Sequence, residues 1–239
     1  MSTHRLMARS RSRRNTAKTP VVTALVILLA IYLAYRENTE KVGGDGVGRG
    51  GEGAAVATSP ADAPAGLPAI RDPRFELFTD LEIARSGGND GDSFKLRFPG
   101  GRQETFRLYF VDSPETSNRY PDRIRYQGDY FGGLSPGDTI AVGEEAKAFS
   151  LGLLERRPFA VMTRWESVMK SYRYHAFVLV ETSPGSWDFL SALLVREGLA
   201  RIYTMPADLP DGRSKEHFKK HLRTLEDGAR KAGQGAWGR

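Results

Sequence analysis

The sequence predicts an α+β fold, a small five-stranded barrel with about three flanking helices. Three observations carry that expectation. Phe94, Leu96 and Phe98 alternate along one stretch and Phe106, Leu108 and Phe110 along the next, so each stretch presents one apolar face, as a strand does. Pro99-Gly100-Gly101 lies between them and supplies the positive-φ residues of a tight connection, making the pair an antiparallel hairpin. The remaining strand-like runs then follow with a helix after the third strand and helices at the end.

Residues 1–19 form a basic tail. Arg5, Arg9, Arg11, Arg13, Arg14 and Lys18 match the whole net excess of +6, so everything after Lys18 is about neutral. A basic excess usually marks a polyanion partner; here any such site must be local. Residues 20–35, from Pro20 to Tyr35, are uncharged and apolar. As a helix this run would span about 24 Å, short of the roughly 30 Å hydrocarbon core, with Lys18 and Arg36 able to snorkel. A cleavable signal peptide wants small residues next, whereas Tyr35-Arg36-Glu37-Asn38 follows and Ala55-Val56-Ala57 lies far downstream. A transmembrane signal anchor is therefore expected, basic side inside, with a cleaved signal peptide as the alternative. Either way the main domain lies outside the cytoplasm, membrane-anchored or, if cut, secreted. Residues 36–69, rich in Gly, Ala and Pro, read as a flexible linker. The globular domain is expected over 70–239.

Within it, Phe75 to Ser86 reads as an opening strand ahead of the hairpin. Ser117 to Gly143, rich in Tyr and Gly, reads as a long functional loop. Glu144 to Arg157 has helical spacing closed by Pro158. Phe159 to Arg164 and Tyr174 to Glu181 read as strands, and Asp188 to Glu197 as a short helix. Lys215 to Lys231 completes the set, with Ser214 as N-cap and an apolar stripe of Phe218, Leu222, Leu225 and Ala229. An OB-type barrel fits this order.

The absence of cysteine removes disulfides, thiolate metal sites and a Cys nucleophile from consideration. The chemistry gathers at the hairpin instead. Asp92 stands at the start of one strand and Asp112 just past the end of its neighbour, which puts two carboxylates at one end of the sheet. Arg107 points away from the Phe106 face, and Glu115 follows Asp112 across Pro114. Two hard oxygen ligands, a fixed cation and a third carboxylate suit a Ca²⁺ site beside a phosphate. Each residue also has a plainer reading: Asp92 as a turn cap, Arg107 as a strand surface residue, Glu115 as a solvated loop charge. The spacing of all four together favours the site. His217 and His221 lie four apart, but Lys219 and Lys220 between them favour a solvated basic face over zinc. His175 is expected on a strand's outer face, and Trp165, Trp187 and Trp237 as packing residues. Tyr120, Tyr126, Tyr130 and Phe131 are read as loop anchors before a stacking platform for single strands.

The runs DGDSFKLRF, TFRLYFVDSPET, KSYRYHAFVLV and LVREGLARIY resemble, in order and spacing, the staphylococcal-type thermonuclease (micrococcal nuclease) family, over roughly residues 75–239. The resemblance implies an OB-fold, Ca²⁺-dependent phosphodiesterase acting on DNA and RNA with low sequence specificity, leaving 3′-phosphate ends. It makes Asp92 and Asp112 the Ca²⁺ carboxylate ligands and Ser113, where the family usually has Thr, a carbonyl ligand. Glu115 becomes the general base, Arg107 and Arg173 the phosphate-binding arginines, and Lys170 a lysine that helps hold a terminal phosphate. The family's stacking tyrosines transfer out of step: Tyr172 and Tyr203 are offset, and Met205-Pro206 interrupts the second region. Tyr203 remains the candidate for nucleotide contact. Expected partners are a nucleic-acid substrate and, through the N-terminal helix, the membrane, with no obligate protein partner. The rival function is a catalytically inert nucleic-acid- or protein-binding module.

Overall fold

The computed structural model describes residues 56–169 and 171–239. The stretch expected as one opening strand is two, β1 (Glu76–Phe78) and β2 (Glu82–Ile83). Next, β3 (Ser93–Arg97) and β4 (Gln103–Leu108) form the expected antiparallel hairpin with Phe94 opposite Phe106. Gly100 and Gly101 turn it at φ of 83° and 90°. All six alternating apolar residues are buried. Phe110 takes φ 71°, an uncommon conformation for a residue with a Cβ. That bend delivers the chain into β5 (Val111–Asp112), pinned by Phe110 N–H to Met205 O at 3.0 Å and Tyr203 N–H to Phe110 O at 2.8 Å.

Most of the expected long loop is helical. It forms α1 (Pro121–Tyr130) and the start of α2 (Pro136–Arg156). Ser135 caps α2, its Oγ accepting from Asp138 N–H at 3.1 Å, and Pro136 supplies a pre-set φ at the first position. After α2 come β6 (Phe159–Ser167), β7 (Arg173–Ser183) and β8 (Ser186–Phe189), then α3 (Leu190–Arg196) and β9 (Arg201–Ile202). The helix expected from Asp188 thus begins two residues later, because Trp187 and Asp188 extend the ladder on β7. Last is α4 (Lys215–Ala232), capped by Ser214 as expected, with Phe218, Leu222 and Ala229 buried.

Seven strands make one sheet in the order β1-β6-β7-β4-β3-β2 with β8 added on β7, and β5 pairs apart with β9. The β4–β7 pair is parallel. A closed five-stranded barrel is not what forms. An unbroken first strand would join the two ends of this path, but the break at Thr79, Asp80 and Leu81 leaves β1 on β6 and β2 on β3. Among the described residues the fold is a mixed α+β sheet with four α-helices, whose inner face, α3 and α4 share one apolar core.

The segment expected as a linker to residue 69 is engaged from Thr58 onward. Thr58 N–H donates to Leu77 O at 2.7 Å, Trp187 Nε1–H to Ala65 O at 3.0 Å, and Ala63 and Leu67 pack on the core. The basic tail and the apolar run 20–35 lie outside the described residues, among which no helix is long and apolar enough to cross a membrane.

Candidate active site

The site forms where β3 begins and β5 ends. Asp92 precedes β3 in a turn in which Asp90 Oδ1 accepts the Asp92 and Ser93 amides at 3.1 and 2.7 Å. Gly91 is required there. A Cβ on it would stand 2.7 Å from both Ser113 Oγ and the Ala146 methyl. Asp112 ends β5 directly opposite Arg201 of β9.

Arg107 leaves β4 on the face away from the core aromatics, as expected, and bridges the two carboxylates. Its Nη2 donates to Asp92 Oδ2 at 3.1 Å and to Asp112 Oδ1 at 2.6 Å. Asp112 is the more crowded acceptor. Arg123 of α1 reaches its Oδ1 at 2.7 Å, while Gln127 and Arg201 reach its Oδ2 at 3.0 and 2.9 Å. Burial alone would raise the Asp112 pKa, but the Arg123, Arg107 and Arg201 guanidiniums outweigh it and hold it below the ordinary carboxylate value. Asp92 has only one guanidinium against complete burial, and burial wins, pushing its pKa up to about 7.

Glu115 sits across the same cluster. Its Oε1 pairs with Arg123 Nη1 at 2.7 Å, and its N–H donates to Gln127 Oε1 at 3.0 Å. The loop carrying it crosses α2 at Gly143, where a Cβ would meet Glu115 O at 2.4 Å and Pro114 O at 2.6 Å. Arg173 opens β7 beside Thr105 in the parallel ladder. Its Nη1 donates to Ser93 Oγ at 3.2 Å, and Arg107 Nη1 reaches the same oxygen at 3.4 Å. Among the described residues Arg173 pairs with no carboxylate. Burial, then repulsion from Arg107, pulls its pKa below the ordinary arginine value, yet the group stays charged at neutral pH.

Asp92, Arg107, Asp112, Ser113, Glu115 and Arg173 therefore come together. Tyr203 adjoins them through Arg201, whose guanidinium lies 3.9 Å from its exposed ring. Lys170 lies outside the described residues. Arg123, Gln127 and Arg201 were not singled out from sequence. The first two sit on a helix that the glycines and tyrosines had disguised as a loop. Arg201 alone had a signal, since it lies in the LVREGLARIY run that carries part of the resemblance.

His175 is not on an outer face. It is buried, paired with Arg107 in the ladder and stacked on Tyr109 at 4.9 Å, and its Nδ1 has no hydrogen-bond partner among the described residues. Burial lowers its pKa to about 4. Tyr109 in turn donates to Glu166 at 2.8 Å. Tyr130 and Phe131 anchor α1 against Trp237, as expected of them, but Tyr120 and Tyr126 are exposed.

For a metal, the chain offers two carboxylates and the Ser113 carbonyl, which now accepts from Gln127 Nε2 at 3.1 Å. Among the described residues no three His, Cys, Asp or Glu side chains cluster as a metal site. The donor set still fits a hard cation. All its atoms are oxygens, and a cation, the Arg107 guanidinium, already bridges both carboxylates. A hollow of about 610 Å³ is lined by Thr79 to Glu82 and the hairpin turn, at the other end of β3 from Asp92, and has none of these groups.

The model of the family described as staphylococcal nuclease homologue matches residues 105–239, more than half of the chain. The matched stretch contains Arg107, Asp112, Ser113, Glu115 and Arg173, while Asp92 lies ahead of it. No curated protein matches the chain.

Proposed function

We propose that this chain, which belongs to the staphylococcal nuclease homologue family, hydrolyses phosphodiester bonds of DNA or RNA with low sequence specificity, in dependence on Ca²⁺ and on an OB-type sheet. The observation that carries this reading is the convergence of Arg107 and Arg173 on one hydroxyl oxygen, Ser93 Oγ, at 3.4 and 3.2 Å. Two forked cations within reach of a single oxygen are placed to share one phosphate, a geometry that lysine does not reproduce.

Phosphodiester hydrolysis mainly demands positioning and charge neutralisation. Arg107 and Arg173 bind and orient the phosphate and stabilise the charge that builds on its oxygens. Glu115, fixed by Arg123 and by Gln127, takes the proton of the attacking water. Asp92, Asp112 and the Ser113 carbonyl would hold Ca²⁺, which when bound neutralises phosphate charge and makes a neighbouring water more acidic. Lys170 would add a cation for a terminal phosphate, and Tyr203 an exposed ring for a base.

The inert binding module is the weaker reading, because each position the chemistry needs is filled. Placement outside the cytoplasm rests on residues 1–35, and protease added to intact cells tests it by releasing the domain. For the chemistry, the full chain is incubated with denatured DNA, with Ca²⁺ and then with chelator. Cleavage that stops on chelation is expected; no Ca²⁺-dependent cleavage would leave the binding module as the better account. Arg107→Lys and Arg173→Lys should each lower turnover by about a hundredfold despite keeping charge. Wild-type rates in either would remove that arginine from the mechanism.

A further inference from the structure

The two tyrosines of the α1 region that do not anchor it demand an account. Tyr120 is 49% exposed and Tyr126 62% exposed, while their neighbours Tyr130 and Phe131 pack inward. Each exposed ring has its own arginine, Arg119 at 5.4 Å from the Tyr120 ring and Arg125 at 5.5 Å from the Tyr126 ring. Arg123 lies three residues from each tyrosine, on the same flank of the helix. Its two Nη atoms reach Asp112 and Glu115 at 2.7 Å each, so this flank runs directly into the catalytic cluster. On the far side the Tyr126 carbonyl accepts from Arg201 Nη1 at 3.5 Å, and Arg201 lies under the exposed Tyr203 ring. A hollow of about 390 Å³ opens between Arg119 and Arg123.

We infer that this strip, from Tyr120 across Tyr126 to Tyr203, is a stacking surface for the unpaired bases of a single-stranded polynucleotide threading towards the Asp92–Arg107 cluster. The inference rests on the nuclease reading above and deepens it by naming the substrate class. Alternating free aromatic faces and guanidiniums are what a flexible polyanion with exposed bases recognises. A duplex offers the arginines its phosphates but has no free base faces for the rings. The charge agrees: of the three arginines between 119 and 126, Arg123 is held by Asp112 and Glu115 and Arg125 by Asp122 at 3.1 Å, which leaves Arg119 without a carboxylate among the described residues. A hydrophobic protein partner would leave Arg119 without an anion to meet.

The test is a binding measurement on the full-length chain in chelator, where cleavage does not interfere. The probes are a fluorescent single-stranded oligothymidylate and a duplex of the same length. The double variant Tyr120→Ala/Tyr126→Ala should bind the single strand at least about tenfold more weakly, with duplex affinity and melting temperature unchanged. Tyr120→Phe/Tyr126→Phe, which keeps both rings, should bind as the wild type does. Equal single-strand affinity in the alanine pair, equal losses on both probes, or loss in the phenylalanine pair would each overturn the inference and leave the nuclease reading standing. A wild-type chain that bound neither probe would sink both.

Discussion

Arg173 and His175 are two residues apart on one strand and show how differently burial treats two bases. The guanidinium keeps its charge in a half-buried place, and that persistent charge makes it a seat for an anion. The imidazole gives its charge up. Its folded pKa of about 4 lies below the ordinary 6.5, so its contribution to stability is complete above about pH 6.5 and is lost as the pH falls towards 4. The full shift corresponds to about 3 kcal/mol, which solvent near the ring trims to about 2 kcal/mol. His175→Phe should therefore lose less stability than the wild type between pH 6.5 and 4 in urea unfolding. Parallel curves for the two proteins would show that the imidazole is not kept neutral by the fold. At the same scale, the spacing of Asp92, Arg107, Asp112 and Glu115 was legible in the sequence, because a hairpin of known register converts spacing into proximity. The burial of His175 was not, since one polar residue in a strand reads as outward-facing until the covering Tyr109 ring is in place.

At the scale of elements, α1 and α2 hold the active loop from behind. Gly143 is the contact where this depends on the absence of a side chain, because Glu115 O would lie 2.4 Å from any Cβ there. Gly143→Ala should cost about 1–3 kcal/mol through overpacking and, by shifting Glu115, lower turnover by about tenfold to a hundredfold. Unchanged kinetics with lowered stability would mean that the loop relaxes without moving the carboxylate. The sequence hid these helices for a physical reason. Gly132, Gly133, Gly137 and Gly143 weaken local helix propensity, while the deciding contacts are tertiary: Gln127 on Asp112, Arg123 on Glu115, and Tyr130 on Glu226. The Ser135-Pro136 start was present as a capping pattern. The hairpin and α4 were readable because their apolar periodicity is strong and their caps and turns are local. The break between β1 and β2 was not, since Phe75, Leu77 and Phe78 before it, Leu81 within it and Ile83 after it are all apolar.

At the scale of the molecule, the six cations of the tail account for the net charge, so the domain has no general attraction for polyanions. Affinity must come from the arginines gathered on one side, and raising salt should weaken it by only the few phosphates they touch. The strap from Thr58 to Leu67 has a consequence for where this domain begins. It closes over Leu77, Thr79 and Trp187 with two backbone-involving bonds and the Thr58–Thr79 hydroxyl contact at 3.0 Å. A protein shortened to start at residue 70 would bare those groups and should melt several degrees lower than one starting at 56. Trimming at the compositional border, the natural choice for anyone preparing soluble material, would thus remove a seam of the fold while seeming to discard only a tail.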